Sequence, residues 1–174
     1  MTDLVWLLGY GSLMWRCDFP YRDARRAYVD GWTRRFWQYT HVHRGGESDS
    51  GPTVTLVDAP GEQCYGRALL VETRILEAVD ELQRNGFERY SIDIHFDVGH
   101  IAGIVYIATP ANRAFFGEAP VEELAAQISG RGRCGTNAEY LFRLARALRE
   151  LGISDPHVFE LEGLVRAKCD EVTS

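Results

Sequence analysis

The sequence has no Cys-x-x-Cys pair. Its four cysteines, Cys17, Cys64, Cys134 and Cys169, lie far apart. That spacing excludes a zinc ribbon, a dithiol redox motif or a disulfide-rich scaffold, and leaves reduced thiols as the expectation. No apolar run approaches the roughly 18 residues that cross a bilayer, and no secretory core follows a basic N-terminus. The expected location is the cytoplasm, with no membrane partner. A basic excess is also missing: 19 Lys and Arg stand against 25 Asp and Glu, for a net charge of −6. A general nucleic-acid binder needs the opposite balance, so no nucleic-acid partner is expected. Repeats and low-complexity segments are absent. What remains is a chain of 174 residues, 45% hydrophobic and 11% aromatic, enough for one well-buried core and one domain spanning residues 1–174.

Strand signals crowd the first half and helix signals the second. Leu4 to Leu8 form an unbroken apolar run, suited to a strand buried on both faces. Gly31 to His43 alternate aromatic residues and threonine with Arg34, Arg35 and Gln38, an extended segment. Thr53 to Val57 and Cys64 to Val71 read as a hairpin about the turn Ala59-Pro60-Gly61. Tyr90 to Phe96 alternate apolar and polar residues, with Ala102 to Thr109 as partner across Val98-Gly99-His100. A helix is expected from Thr73 to the Asn85-Gly86 break, with Ile75, Leu76, Val79 and Leu82 at helical spacing. A second starts at Pro120 and stops at Gly130. A third begins with the capping-box pattern Thr136-x-x-Glu139 and ends at Gly152. Val158 to Leu161 reads as a last short strand. Strands that cluster rather than alternate with helices argue against a doubly wound fold. The expected class is α+β, a mixed or antiparallel sheet curled into a small barrel with flanking helices.

The turn Gly9-Tyr10-Gly11-Ser12-Leu13 follows the first strand directly. Glycines leave no Cβ in the way, so such a turn brings backbone N–H groups against an anionic or carbonyl group. An ordinary strand-ending turn has the same composition, and this stretch alone leaves both readings open.

Several ordered segments carry a resemblance to a family. They are Gly9-Tyr10-Gly11-Ser12-Leu13-Met14-Trp15, Arg34-Arg35-Phe36-Trp37-Gln38, His43-Arg44-Gly45, Thr53-Val54-Thr55-Leu56 and Val105-Tyr106-Ile107-Ala108-Thr109-Pro110. To these are added Gly135-Thr136-Asn137-x-Glu139-Tyr140-Leu141 and Asp155-x-His157-Val158. The chain resembles the ChaC-type γ-glutamylcyclotransferases along nearly its whole length. The resemblance implies a small-molecule γ-glutamyl partner, glutathione, cut to 5-oxoproline and Cys-Gly by internal attack of the substrate's α-amine, with no cofactor and no metal. It implies that Tyr10, Gly11, Ser12 and Leu13 cradle the glutamyl part and that Tyr140 contacts it. It also implies a single glutamate that takes and returns the proton.

At that glutamate the sequence departs from its family. The usual Leu-Asp-x-Arg-Glu-Lys-x-Gly-Tyr aligns with Val79-Asp80-Glu81-Leu82-Gln83-Arg84-Asn85-Gly86-Phe87, and the catalytic position reads Gln83. An amide is neither a base nor an acid near pH 7, and loss of a general base costs about a hundred- to ten-thousand-fold in rate. Helical spacing puts Gln83 on the flank of the inward face and Glu81 about 200° around, toward solvent. Glu88, beyond the Asn85-Gly86 break, is the substitute carboxylate if its loop folds back. Three explanations stay open: a silent γ-glutamyl binder or regulator, an enzyme with a relocated base, or an introduced Glu-to-Gln change. Leu82 and Phe87 also depart from the family pattern, as divergence would produce.

Other features carry less. His41 and His43 share a strand face as two candidate metal ligands without a third. The loop Arg44 to Pro52 has the composition of a mobile lid. Gly130 to Gly135 holds two arginines that suit an anion or a solvated turn. Oligomeric state leaves no mark in the sequence.

Overall fold

Leu7 and Leu8 are neighbours in sequence, yet each is essentially inaccessible and they belong to different apolar clusters. This is the outcome expected of an unbroken apolar strand, whose successive side chains point to opposite faces. In the computed structural model, which describes residues 2–40, 51–83, 86–130 and 135–172, this strand is β1, Leu4–Gly9. It pairs antiparallel with β3, Gly51–Glu72, and parallel with β5, His100–Ile107. β3 pairs in turn with β2, Asp23–Thr40. β2 touches β4, Glu88–His95, where Tyr28 meets His95, and β4 and β5 form a hairpin. The five strands close into a barrel in the order β1-β3-β2-β4-β5. Closure pairs every strand and removes the open edges that invite aggregation.

The expected hairpin around Ala59-Pro60-Gly61 is not there. β3 runs on through it, and β2 begins eight residues earlier than the aromatic pattern suggested. Asp30 pairs with Gln63 but Trp32 with Asp58, so residues 59–62 bulge opposite Gly31 alone. Gly31 and Gly61 take φ of +80° and +87°, values that glycine adopts freely. The turn chemistry was real; it makes a bulge that bends a long ribbon instead of a chain reversal.

Helix α1, Leu76–Leu82, follows a 3-10 turn at Thr73–Ile75 and ends with Gln83 as its C-cap. It lays Leu76 and Val79 over Leu7, Leu69, Val71 and Tyr106. Helices α2, Val121–Ser129, and α3, Thr136–Glu150, have the expected ends. α3 lacks the expected capping box: its N-cap is Gly135, with no side-chain cap. Thr136 is the first helical residue, and Glu139 accepts instead from Arg143 one turn on. The strand expected at Val158–Leu161 is also overturned. Pro156 opens helix α4, Pro156–Val172, and the Asp155 carboxylate caps it by accepting the Val158 amide at 3.1 Å. Val158, Leu161 and Val165 are fully buried at spacings of three and four, the period of a helix face. α2, α3 and α4 pack this face and those of Leu141, Leu144 and Leu148 onto the barrel cluster around Leu8, Val29, Phe36 and Ile94.

Cys17 and Cys64 are free thiols. Cys169 is disulfide-bonded, so the expectation of reduced thiols is not met there. Distance along the sequence does not report distance in the fold. No helix among the described residues is long and apolar enough to cross a membrane. His41, His43, the loop 44–50 and residues 131–134 lie outside the described residues.

Candidate functional site

A cavity of about 680 Å³ opens where the turn after β1, the C-terminal end of α1 and the first turns of α3 converge. Close packing gives the turn its shape. A Cβ at Gly9 would lie 2.8 Å from the Leu13 Cβ, and one at Gly11 would lie 2.9 Å from Val54 Cγ2 and 3.0 Å from the Tyr140 hydroxyl. Both glycines are therefore required by contact with their neighbours. The chain then winds into a 3-10 turn at Ser12–Met14, where the Met14 amide donates to the Gly11 carbonyl at 3.0 Å. The amides that open such a turn have no acceptor within it, and the residues that carry them, Gly11, Ser12 and Leu13, line the cavity. The arrangement suits a carboxylate or carbonyl oxygen. Tyr10 itself is buried beneath the turn and donates its hydroxyl to the Tyr106 carbonyl at 2.6 Å. Burial pushes its phenol well above the ordinary range, so it acts as a neutral anchor.

Arg34 fixes the turn from behind. Its side chain is 1% exposed, and it donates to the Tyr10 carbonyl at 2.7 Å, to the Asp155 carboxylate at 2.5 Å and to the Tyr65 carbonyl. One guanidinium thus joins the turn, β3 and the cap of α4. Next to it the Phe36 amide donates to His157 Nε2 at 3.1 Å. Burial, with Arg35 and Arg34 adding to it, lowers the His157 pKa to about 4. The imidazole is neutral and accepts. Asp155 and His157, singled out in the sequence, hold the scaffold. In the sequence Arg34 stands among the polar positions of an extended segment and in a family-matching stretch, with no role assigned to it. The missed signal was strand alternation: Arg34, Phe36 and Gln38 share a face, and all three are buried.

Tyr140, on α3, lines the cavity with its ring edge-on to Trp15 at 5.2 Å and to Phe36 at 6.0 Å. Gln83 lines the same cavity, half-buried. Two carboxylates, Asp18 and Glu139, reach the cavity. Both sit at its exposed rim, paired with Arg16 at 3.2 Å and Arg143 at 2.7 Å. Glu81 is exposed and is not among the lining residues, and neither is Glu88. Glu88 opens β4 as an exposed residue and accepts from the Tyr90 hydroxyl at 3.0 Å, while Phe87 beside it lines the cavity. Cys17 also lines the wall, and burial raises its thiol, which keeps it protonated and weakly nucleophilic. Among the described residues no three His, Cys, Asp or Glu side chains gather as a metal site.

A family model described as ChaC-like protein matches residues 5–168. The chain is 36% identical to the zebrafish (Danio rerio) protein named glutathione-specific gamma-glutamylcyclotransferase 1, over 94% of this chain and 89% of the relative. It is 34% identical to gamma-glutamylcyclotransferase 2-3 of Arabidopsis thaliana, over 93% and 88%. It is 31% identical to the glutathione-specific gamma-glutamylcyclotransferase of Schizosaccharomyces pombe, over 96% and 95%. In fold it matches a crystal structure of the yeast cyclotransferase specific to glutathione, with a TM-score of 0.82 at 24% identity over 96% of this chain and all of the other.

Proposed function

We propose that this chain, which belongs to the ChaC-like protein family, binds glutathione in the cavity beside the glycine turn and converts it to 5-oxoproline and Cys-Gly. The observation that carries the reading is the convergence of the Gly9–Leu13 turn, Tyr140 and Gln83 on one cavity, in a chain aligned nearly end to end with glutathione-specific relatives. A cavity of about 680 Å³ falls within the span of small-molecule sites. In this reading the amides of Gly11, Ser12 and Leu13 hold the glutamyl carboxylate or the developing oxyanion, and Tyr10 and Tyr140 shape the wall around it. The substrate's α-amine then attacks its own γ-carbonyl carbon, a step favoured because both groups belong to one molecule.

The same observation supports a second reading. Gln83 occupies the wall where the family's glutamate is expected, and an amide moves no proton near neutral pH. A protein that holds the γ-glutamyl group without turning it over would look the same in every other respect.

Incubation of purified protein with glutathione, with 5-oxoproline and Cys-Gly quantified, separates the two. Turnover supports the cyclotransferase. Binding without turnover, together with turnover gained by Gln83→Glu, supports the silent binder. Absence of glutathione binding to either protein would overturn both readings.

A further inference from the structure

With Gln83 unable to carry a proton, a different carboxylate must serve if the cavity is catalytic. Asp18 and Glu139 stand at the rim in exposed ion pairs, and Glu81 and Glu88 do not line the cavity. Among the described residues one further carboxylate stands close to Gln83. Asp80 lies three residues before it on α1, a spacing that brings two side chains to the same helix face, about 5–6 Å apart at Cβ. Asp80 reaches the cavity through a neighbour: Tyr106, a lining residue on β5, donates its hydroxyl to Asp80 Oδ1 at 2.6 Å. On the other side Arg89 of β4 stands 3.6 Å from Asp80 Oδ2. Tyr106 is itself held, because its carbonyl accepts the Tyr10 hydroxyl at 2.6 Å. The pair is therefore bound into the same turn that forms the cradle.

We propose that Tyr106 and Asp80 form the proton-transfer pair of this site, Tyr106 meeting the substrate and Asp80 positioned behind it as the proton store. This inference rests on the cyclotransferase reading. As the α-nitrogen passes from ammonium to lactam N–H it gives up two protons, one at a time. Each goes to the Tyr106 oxygen while the phenol's own proton passes to Asp80. Once the first proton has reached Asp80 the α-nitrogen bonds to the γ-carbonyl carbon; that proton passes back to the cysteinyl nitrogen as its bond to the carbon breaks. Only then does Asp80 take the second proton from the ring nitrogen and return it to the departing amine, so the carboxylate never holds more than one. Nothing is consumed, and both residues return to their starting states. Burial, and after it the hydrogen bond to Asp80, keep the Tyr106 phenol above its ordinary pKa, so it relays as a neutral hydroxyl and no free phenolate accumulates.

The test measures kcat and KM for glutathione, glutathione affinity by calorimetry and thermal midpoint in Asp80→Asn, Tyr106→Phe and the double variant Asp80→Asn/Gln83→Glu. Each single change is expected to lower kcat about 10²- to 10⁴-fold, with affinity within about threefold of the parent. Restoring a carboxylate at position 83 in the Asp80→Asn background is expected to recover at least about tenfold of the lost rate, a rescue that a purely structural role for Asp80 would not allow. Asp80→Asn retaining near-parental kcat overturns the relay and leaves the cyclotransferase reading standing. Loss of affinity and stability in parallel, without rescue, assigns Asp80 to structure and overturns the relay too. A parent protein that binds glutathione and does not turn it over removes both.

Discussion

Replacing Gly11 by alanine tests whether the cradle is built by close packing. The backbone there has φ of −123°, outside the left-handed region, so alanine carries no left-handed strain and the contacts of its added carbon are what the variant tests. The added carbon would lie 2.9 Å from Val54 Cγ2 and 3.0 Å from the Tyr140 hydroxyl, against an optimum of about 3.5–4.0 Å. One of them must give. Val54 is 2% exposed and β-branched, hence fixed at χ1. Tyr140 ends in the cavity, where there is room. The ring therefore tilts by about half an ångström into the ligand's space. Overpacking costs about 1–3 kcal/mol in general, and because one neighbour can move into open volume the expected loss of stability is near the low end, about 1 kcal/mol. The loss in glutathione affinity is expected to be larger, at least about tenfold, or 1.4 kcal/mol. Urea denaturation and calorimetry read the two effects separately. Unchanged affinity with a stability loss near 3 kcal/mol would mean that the barrel wall yields instead, and would refute the placement of the ligand against Gly11 and Tyr140.

Arg34→Met is expected to cost about 3–5 kcal/mol, because it leaves the buried Asp155 carboxylate without its charge partner and two carbonyls without a donor; a loss under about 1 kcal/mol in urea denaturation would contradict the buried pairing. His157 predicts acid sensitivity. Its folded pKa is depressed to about 4 while the unfolded value is near 6.5, so the unfolded state binds the extra proton first. Its contribution is complete above about pH 6.5 and is lost as pH falls toward 4, by up to about 3 kcal/mol. Denaturation midpoints across that window check it, and a His157→Asn variant with the same acid slope would point to other groups.

The secondary structure was legible where one face decides it. α2 and α3 announced their ends through Pro120, Gly130 and Gly152, and the β4–β5 hairpin through strict alternation. Clustered strands pointed to a barrel before any pairing was known. The misreadings share a cause: a local signal can serve two structures. Ala59-Pro60-Gly61 marks a break in pairing, and only the register with β2 shows that the break is a bulge. Val158 to Leu161 is a short apolar run with no period of its own. Its helical character comes from Asp155 and Pro156 ahead of it and from Val165 beyond it. Arg34 is the instructive case. A charge in a strand suggests solvent, and nothing short of the tertiary structure supplies the Asp155 carboxylate and the two carbonyls that allow it to be buried.

Binding and proton transfer depend on different kinds of constraint in this molecule, which is why they can separate. The turn rests on packing so close at Gly9 and Gly11 that an added Cβ would fall 2.8 Å and 2.9 Å from its nearest neighbour, and on a three-way guanidinium, so a change there disturbs the barrel as well as the cavity. Position 83 is one half-buried side chain at the end of the short α1. An amide there has the volume of a carboxylate and asks nothing different of the packing. The fold would therefore register no penalty for an exchange between glutamate and glutamine at that position, and it would keep the cavity whether or not chemistry follows. A replacement base is under the opposite restriction. It must already be hydrogen-bonded into the wall, since a new carboxylate aimed into a partly buried cavity carries a desolvation cost of its own. Asp80 meets that condition through Tyr106 without any rearrangement of the turn.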